Sequence, residues 1–381
     1  MGHQVRIVAS SYSHVRMRQP QLKGQDRLHE TIDGIQYTWF STPAYAGNGV
    51  GRVHNIAVFI SWLYREGKLL IRSFKPDVVI ASSTYPMDIW PTHRIAKIAN
   101  SKLVFEVHDL WPLSPIELGG MPKWHPFIVM VQLAEDYAYR NADVVVSMLP
   151  KVRDYMESRG LAPPKLHIVP NGIDVTEWQS EKPALTGAAK DTLSALKAHG
   201  YFIVGYAGTH GLANALTTFL DAAKLMHSEK VAFVLVGDGP DKRDLQRRAA
   251  VEGLNNVTFI DPVRKKEIPV LLQWFDVAYL GWKRQPLYRF GISPNKLLDY
   301  MMAGRPVLHA VDAGNDPVAE ADCGISIPPE DPDAIVRAVK QMMAMQREDR
   351  AAMGQRGRAY VMAHHDYRIL AKRFLDCLQC H

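Results

Sequence analysis

Three cysteines in 381 residues are too few for a disulfide framework, and they fit a reducing compartment. The chain also lacks an uncharged apolar run of the ~18 residues that a membrane-crossing helix needs. Its first residues, Met1 to Arg6, contain no apolar stretch of the signal-peptide kind. Arg6 stands where a myristoylation signal needs Ser or Thr. The expected location is therefore cytoplasmic, with peripheral contact to the inner face of the cell membrane allowed. No tandem repeat with a period of about 20–50 residues is visible, which excludes solenoids and propellers. Charge of one sign is not concentrated: 45 Lys plus Arg against 39 Asp plus Glu leave a net +6. That excess permits an anionic ligand or surface and does not call for nucleic acid.

What is present is ordinary globular material, 47% hydrophobic and 22% charged. At about 100–200 residues per domain, two domains are expected. Short β-branched runs at 4–10, 77–82, 102–107, 142–147 and 166–169 alternate with helical patterns near 51–73, 88–99, 124–140 and 150–158. The pattern then restarts, with strands expected at 201–207, 231–236, 257–260, 277–280 and 306–310. Helices are expected near 213–227, 240–252, 265–274, 294–303 and 331–347. Apolar strands alternating with helices read as βαβ units on parallel sheets. The fold class is thus α/β, two doubly wound Rossmann-like domains. The join follows Val169-Pro170-Asn171-Gly172-Ile173-Asp174, in the weakly patterned segment 175–199.

Two glycine turns sit at strand ends. Gly205, Gly208 and Gly211 follow one strand, and Gly237, Asp238 and Gly239 follow the next. Glycine lets backbone approach a ligand, and the next helix offers free N–H groups to an anion. The spacing is not that of a dinucleotide fingerprint, and each turn is equally readable as a plain β-to-α connection. The segment from Gly291 to Val307 is more informative. Ser293 or its neighbour is placed to cap a helix and Pro294 to open it. Asn295 and Lys296 then stand at the positive end of the helix dipole. Asp299, three residues on, shares a face with Lys296, so a cation and a carboxylate are available for a diphosphate and a ribose. The plain alternative is a surface ion pair on a capped helix.

In the first domain, Glu106, His108 and Asp109 mark a strand's C-terminal end, the end that faces ligands in open α/β sheets. Glu117, Gly119 and Gly120 follow as a loop. Segment 52–75 carries Arg52, Arg65, Lys68, Arg72 and Lys75 beside Ile56, Phe59, Ile60, Trp62, Leu63 and Tyr64. It reads either as a membrane-surface helix or as a core-facing helix with a wet basic face. Three motifs are read as empty. Cys377, Cys380 and His381 match a haem-attachment spacing at the chain's end. Asp331 and Asp333 open a helix rather than hold a metal. His364, His365 and Asp366 read as solvated surface.

The hinge phrase 169–174, Val236 to Pro240, and Ser293-Pro294-Asn295-Lys296 running on through Asp299 to Gly304 and Pro306 resemble the family 4 glycosyltransferases. The likeness spans nearly the whole chain. His108, Asp109, Leu110, Trp111 and Pro112 followed by Glu117 resemble the branch that builds O-antigen, capsule or exopolysaccharide, amino-deoxysugar transferases included. The resemblance implies a GT-B fold with two domains facing across a cleft. Its domains would be 1–175, joined by a C-terminal helix 363–381, for the acceptor, and 176–362 for the donor. It implies retaining, metal-independent transfer from a nucleotide-diphosphate sugar, UDP favoured, to a polyprenyl-diphosphate-linked or saccharide acceptor, with no cofactor. His108 and Lys296 would be catalytic. Gly208, Gly237, Asp238, Gly239, Ser293, Pro294, Asn295, Lys296 and Asp299 would hold the nucleotide-sugar, Asp299 at its ribose. Asp109, Glu117 and Asn171 would lie near the sugars.

The chain departs from the family in three places. Gly291 stands where the first acid of E-x7-E belongs. The usual Arg and Lys are missing after Gly208, so Lys296, with Lys283 or Arg284, must supply that charge. Ser10 to Ser13 replace an N-terminal Gly-Gly loop. A nucleotide-sugar epimerase of the same fold, or a non-catalytic nucleotide-sugar-binding protein, are the competing readings.

Overall fold

A computed structural model describes residues 2–14, 16 and 18–379. By its contacts the chain divides into two compact units, 1–146 with 155–167 and 147–154 with 168–381.

The first unit begins with β1 (Arg6–Ser10), β2 (Arg27–Ile32) and β3 (Ile35–Phe40) in the order β1-β3-β2. β1 runs parallel to β3, and β2 is antiparallel to it. The β2–β3 hairpin was not expected from the sequence. Its two-residue turn is Asp33-Gly34, both at positive φ, the backbone that tight hairpins require. β4 (Val78–Ala81), β5 (Lys102–Val107), β6 (Val144–Ser147) and β7 (Leu166–Ile168) form a second sheet in that order. They match the strands read from sequence, as do the helices Val50–Phe74, Ile89–Ala99 and Pro126–Asn141.

The helix Val50–Phe74 covers the core with its apolar side. Ile56, Phe59 and Leu63 are buried, with Phe59 and Leu63 clustered on Phe40. The Trp62 ring stacks on Phe40 at 5.3 Å, and its Nε1 donates to the Ser41 carbonyl. Its apolar stripe is spent on the core, as expected for a helix covering a sheet, while Arg65, Lys68 and Arg72 stay exposed.

The second unit holds β8 (Phe202–Ala207), β9 (Val231–Val236), β10 (Val257–Ile260), β11 (Val277–Gly281), β12 (Val307–Ala310) and β13 (Gly324–Ile327). All neighbours are parallel, in the order β10-β9-β8-β11-β12-β13. β9 explains its own sequence. Ala232, Val234 and Val236 pack into one hydrophobic cluster, and Val231, Phe233 and Leu235 into another. A strand covered on both faces is apolar at every position. The strand order reverses between β8 and β11, the switch point where α/β sheets bind ligands beyond their strand ends.

Segment 175–199 is more ordered than its pattern suggested. Asp174 Oδ1 accepts from the backbone of Thr176 and Glu177, capping the helix Val175–Gln179, and a second helix spans Gly187–Ala198. The C-terminal stretch is two helices, Arg347–His364 and Tyr367–Gln379. Both cluster with the second unit, whereas the sequence reading joined 363–381 to the first domain. The local reason is close packing on the hinge phrase. A Cβ on Gly172 would lie 2.6 Å from Leu370 Cδ1 and 2.8 Å from the His365 carbonyl oxygen.

Candidate functional site

In the second unit, the two glycine turns at the ends of β8 and β9 are stacked backbone on backbone. Gly208 N–H donates to the Val236 carbonyl, and His210 N–H donates to that of Asp238. A Cβ on Gly237 would sit 2.0 Å from the Gly208 oxygen, so the close approach itself demands glycine. Asp238 turns its Oδ1 onto Gly239 N–H at 2.8 Å. His210 is buried beneath them. Burial, then the neighbouring Lys242 charge, holds its pKa down to about 4, so its ring is neutral.

Lys296, in the helix Asn295–Met302, reaches across to this turn. Its Nζ donates to Tyr206 Oη at 2.6 Å and to Asn214 Oδ1 at 3.2 Å, and lies 4.1 Å from the Tyr206 ring centroid. It fills the space a side chain on Gly208 would take: a Cβ there, at φ +153°, would fall 2.5 Å from Lys296 Cε. Burial lowers the ammonium's pKa from 10.5 to about 8.

Asp299 faces elsewhere. It lines a cavity of about 140 Å³ with Glu177, Trp178, Lys265 and Ile268. Burial raises its carboxyl from 3.8 to about 6; the Lys265 charge opposes that, and Glu177 adds to it. Among the described residues Lys296 and Asp299 therefore do not pair, and the plain reading of a surface ion pair fails. Their i,i+3 spacing puts them on one flank of the helix, but each long axis leaves it toward a different neighbour.

The loop before this helix corrects a further expectation. Ser293 does not cap the helix, whose first residues have no side-chain cap. Its hydroxyl accepts instead from Asn171 N–H at 2.8 Å, and its carbonyl from Asn171 Nδ2 at 2.6 Å. The Asn171 carbonyl is met by His365 Nδ1 at 2.8 Å. Asn171 thus ties the hinge phrase to the 293 loop and to the C-terminal helices. His365 is buried, not solvated surface as the sequence suggested, and burial lowers its pKa. Pro294 precedes the helix, and Asn295 is exposed at its start. Gly291 takes φ +96°, and a Cβ there would lie 2.5 Å from Pro150 Cδ. Asn315 clamps the adjoining Ile292 through its N–H and carbonyl. An acid at 291 is thus excluded by backbone and packing together. Of the two further cations expected to supply charge, Arg284 lies 3.7 Å from Asp312. Lys283 fixes the Ala213 carbonyl through its backbone N–H.

In the first unit, His108 follows β5. Its Nε2 lies 2.9 Å from Ser82 Oγ and 3.5 Å from Glu106 Oε2, and Ser82 Oγ donates to Glu106. Asp109 does not join them. Its Oδ1 accepts from Leu110 N–H and Ser114 Oγ, closing the turn into the short helix Leu113–Glu117, of which Glu117 is the last residue. Ser82 went unremarked in the sequence, although β4 and β5 are adjacent and in register at Ala81 and Phe105. Tyr206 and Asn214 were missed as well. Tyr206 is hidden inside an apolar strand, and Asn214 sits in a turn whose partner helix lies some eighty residues later.

The motifs set aside fall as follows. Asp331 Oδ1 caps the helix Pro332–Ala344 by accepting from Ala334 N–H. Cys377 is buried with its Sγ on the Arg373 carbonyl, while Cys380 and His381 lie outside the described residues. Among the described residues no helix is long and apolar enough to cross a membrane.

Comparison with known proteins places this geometry. Residues 1–172 match the family model described as a glycosyl transferase 4-like domain, and 201–345 match that of glycosyl transferases group 1. The chain belongs to the GT-B glycosyltransferases of family 4 type. It is 23% identical over 328 residues to WbjE of Pseudomonas aeruginosa, named as a probable glycosyltransferase, covering 84% of this chain and 79% of that protein. WcaI of Escherichia coli, named for colanic acid biosynthesis, is 22% identical over 287 residues, covering 74% and 70%. Among solved structures, Anabaena HepE in complex with UDP and glucose superposes with a TM-score of 0.64 at 16% identity, covering 91% of this chain and 87% of that one.

Proposed function

We propose that this glycosyltransferase moves a sugar, with retention, from a nucleotide-diphosphate donor, UDP favoured, to a lipid-linked or saccharide acceptor of bacterial surface polysaccharide. The observation that carries the reading is the Lys296 ammonium, drawn from a distant helix onto the glycine turn at the strand switch point. As the glycosidic bond breaks, negative charge gathers on the leaving diphosphate. A preorganised ammonium, with the N–H groups that open the helix Asn295–Met302 and carry no side-chain cap, stabilises it there without a metal ion. Asp299, in its own cavity, accepts from the ribose hydroxyls. The anomeric carbon becomes oxocarbenium-like, and the acceptor attacks from the leaving-group face while a phosphate oxygen takes its proton. No enzyme nucleophile is required. His108, steadied by Ser82 and Glu106, contacts the donor sugar. Names of relatives such as WcaI support the polysaccharide assignment. Membrane contact through 52–75 rests on the exposed Arg65, Lys68 and Arg72, because the apolar stripe is buried. A screen of nucleotide-sugars with polyprenyl-diphosphate-linked saccharides, run in EDTA, tests the proposal. It expects acceptor-dependent release of nucleoside diphosphate. Interconversion of free nucleotide-sugar without acceptor would favour an epimerase. Binding without turnover would favour a non-catalytic role, and activity lost in EDTA and restored by Mg²⁺ or Mn²⁺ would overturn metal independence.

A further inference from the structure

An ammonium has three N–H donors. Lys296 gives one to Tyr206 Oη and one to Asn214 Oδ1. A single atom turns both acceptors toward it. The Thr209 carbonyl receives the Tyr206 hydroxyl proton at 2.6 Å and Asn214 Nδ2 at 3.0 Å. Once its only proton is on Thr209, the Tyr206 oxygen has just lone pairs to offer. Once its NH₂ is on Thr209, the Asn214 amide presents its oxygen. The Tyr206 ring adds its negative face to the ammonium. Among the described residues no carboxylate lies within ion-pair distance of Lys296, so neutral groups alone hold the charge. Among the described residues two of the three donors are committed.

We propose that Tyr206 and Asn214, both oriented by the Thr209 carbonyl, are positioning residues that hold Lys296 charged, with one N–H reserved for the donor's diphosphate. This rests on the reading of Lys296 as the diphosphate ligand. A carboxylate partner would grip the lysine harder but would cancel the charge that the leaving group needs. A neutral cradle keeps that charge available, and the cost is a lysine that burial brings down to about 8. The cradle and the pH response are therefore linked. Each oxygen accepting from Lys296 favours its protonated form, so removing one must lower the pH at which the lysine loses its charge. The opposing groups nearby are few: the buried His210 is neutral, and Lys242 is tied to Asp261 and the Gly237 carbonyl.

The test is titration of UDP into the full chain from pH 7 to 9.5, above the phosphate's own titration near pH ~6. Wild type is expected to lose affinity as pH rises past about 8. Tyr206→Phe keeps the ring and loses the hydroxyl, so the loss should begin about one pH unit lower. Asn214→Asp places a carboxylate on the ammonium. Its transition should move to higher pH, and its affinity at pH 7 should fall about tenfold or more. Opposite shifts from the two variants cannot come from general loosening of the loop, and Asn214→Asp carries the test if Tyr206→Phe fails to fold. Wild-type transition pH in both variants, with Lys296→Ala still losing UDP affinity, would overturn the positioning role and leave the diphosphate reading standing. A silent Lys296→Ala would instead overturn the diphosphate reading itself.

Discussion

Replacing Asp299 by Asn should make the empty protein more stable and the enzyme worse. Burial lifts this carboxyl from 3.8 to about 6. A carboxyl whose folded pKa lies above its unfolded value binds protons more tightly in the folded chain. Folding stability therefore falls as pH rises from about 4 to about 6 and stays low above that. At about 1.4 kcal/mol per pH unit, the ionised group costs up to about 3 kcal/mol. The side chain is only partly buried, and solvent screening reduces this to about 1–2 kcal/mol. Asp299→Asn removes the ionisation and keeps the shape. In thermal unfolding it should raise the Tm of its transition by about 2–6 °C at pH 8 and hardly at all at pH 4. The same variant should raise the donor KM several-fold with kcat nearer normal, because a ribose contact is shared by ground and transition states. A Tm gain equal at pH 4 and pH 8 would refute the burial argument, and an unchanged donor KM would refute the ribose contact.

Other perturbations separate the remaining parts. Gly208→Ala places a methyl 2.5 Å from Lys296 Cε. It should displace the lysine and weaken UDP binding at least tenfold in calorimetry, with about 1–3 kcal/mol lost from stability in denaturant titration. His108→Ala should reduce donor turnover at least tenfold and leave the UDP dissociation constant as in wild type, since the histidine is assigned to the sugar; a large change in UDP affinity would contradict that. Arg65, Lys68 and Arg72 replaced together by Glu should reduce co-sedimentation with anionic vesicles and leave binding to neutral vesicles unchanged. Equal binding to anionic vesicles would leave this helix with only its core-covering role.

The sheet that positions the site was legible because buried parallel strands write themselves as apolar runs, β9 most clearly. The β2–β3 hairpin escaped because β2 is largely exposed and polar, although Asp33-Gly34 carried the turn signal. β13 escaped because it is only four residues long, too short to show a pattern. At the site, Lys296 and Asp299 were visible from their spacing in one helix. Spacing along a helix says which residues share a flank but not what each meets, so their separate surroundings were not legible. Ser293 and His365 were misread for a related reason. Each is a polar residue whose partner lies more than a hundred residues away, and only the fold brings their atoms together.

If Lys296 stabilises the charge developing on a leaving diphosphate, its removal must show in the steady-state kinetics of Lys296→Ala. The expected loss is about 2–4 kcal/mol of transition-state stabilisation, roughly 30- to 1,000-fold in kcat, with donor KM changed far less. A folded Lys296→Ala enzyme with near-normal kcat and KM would contradict it.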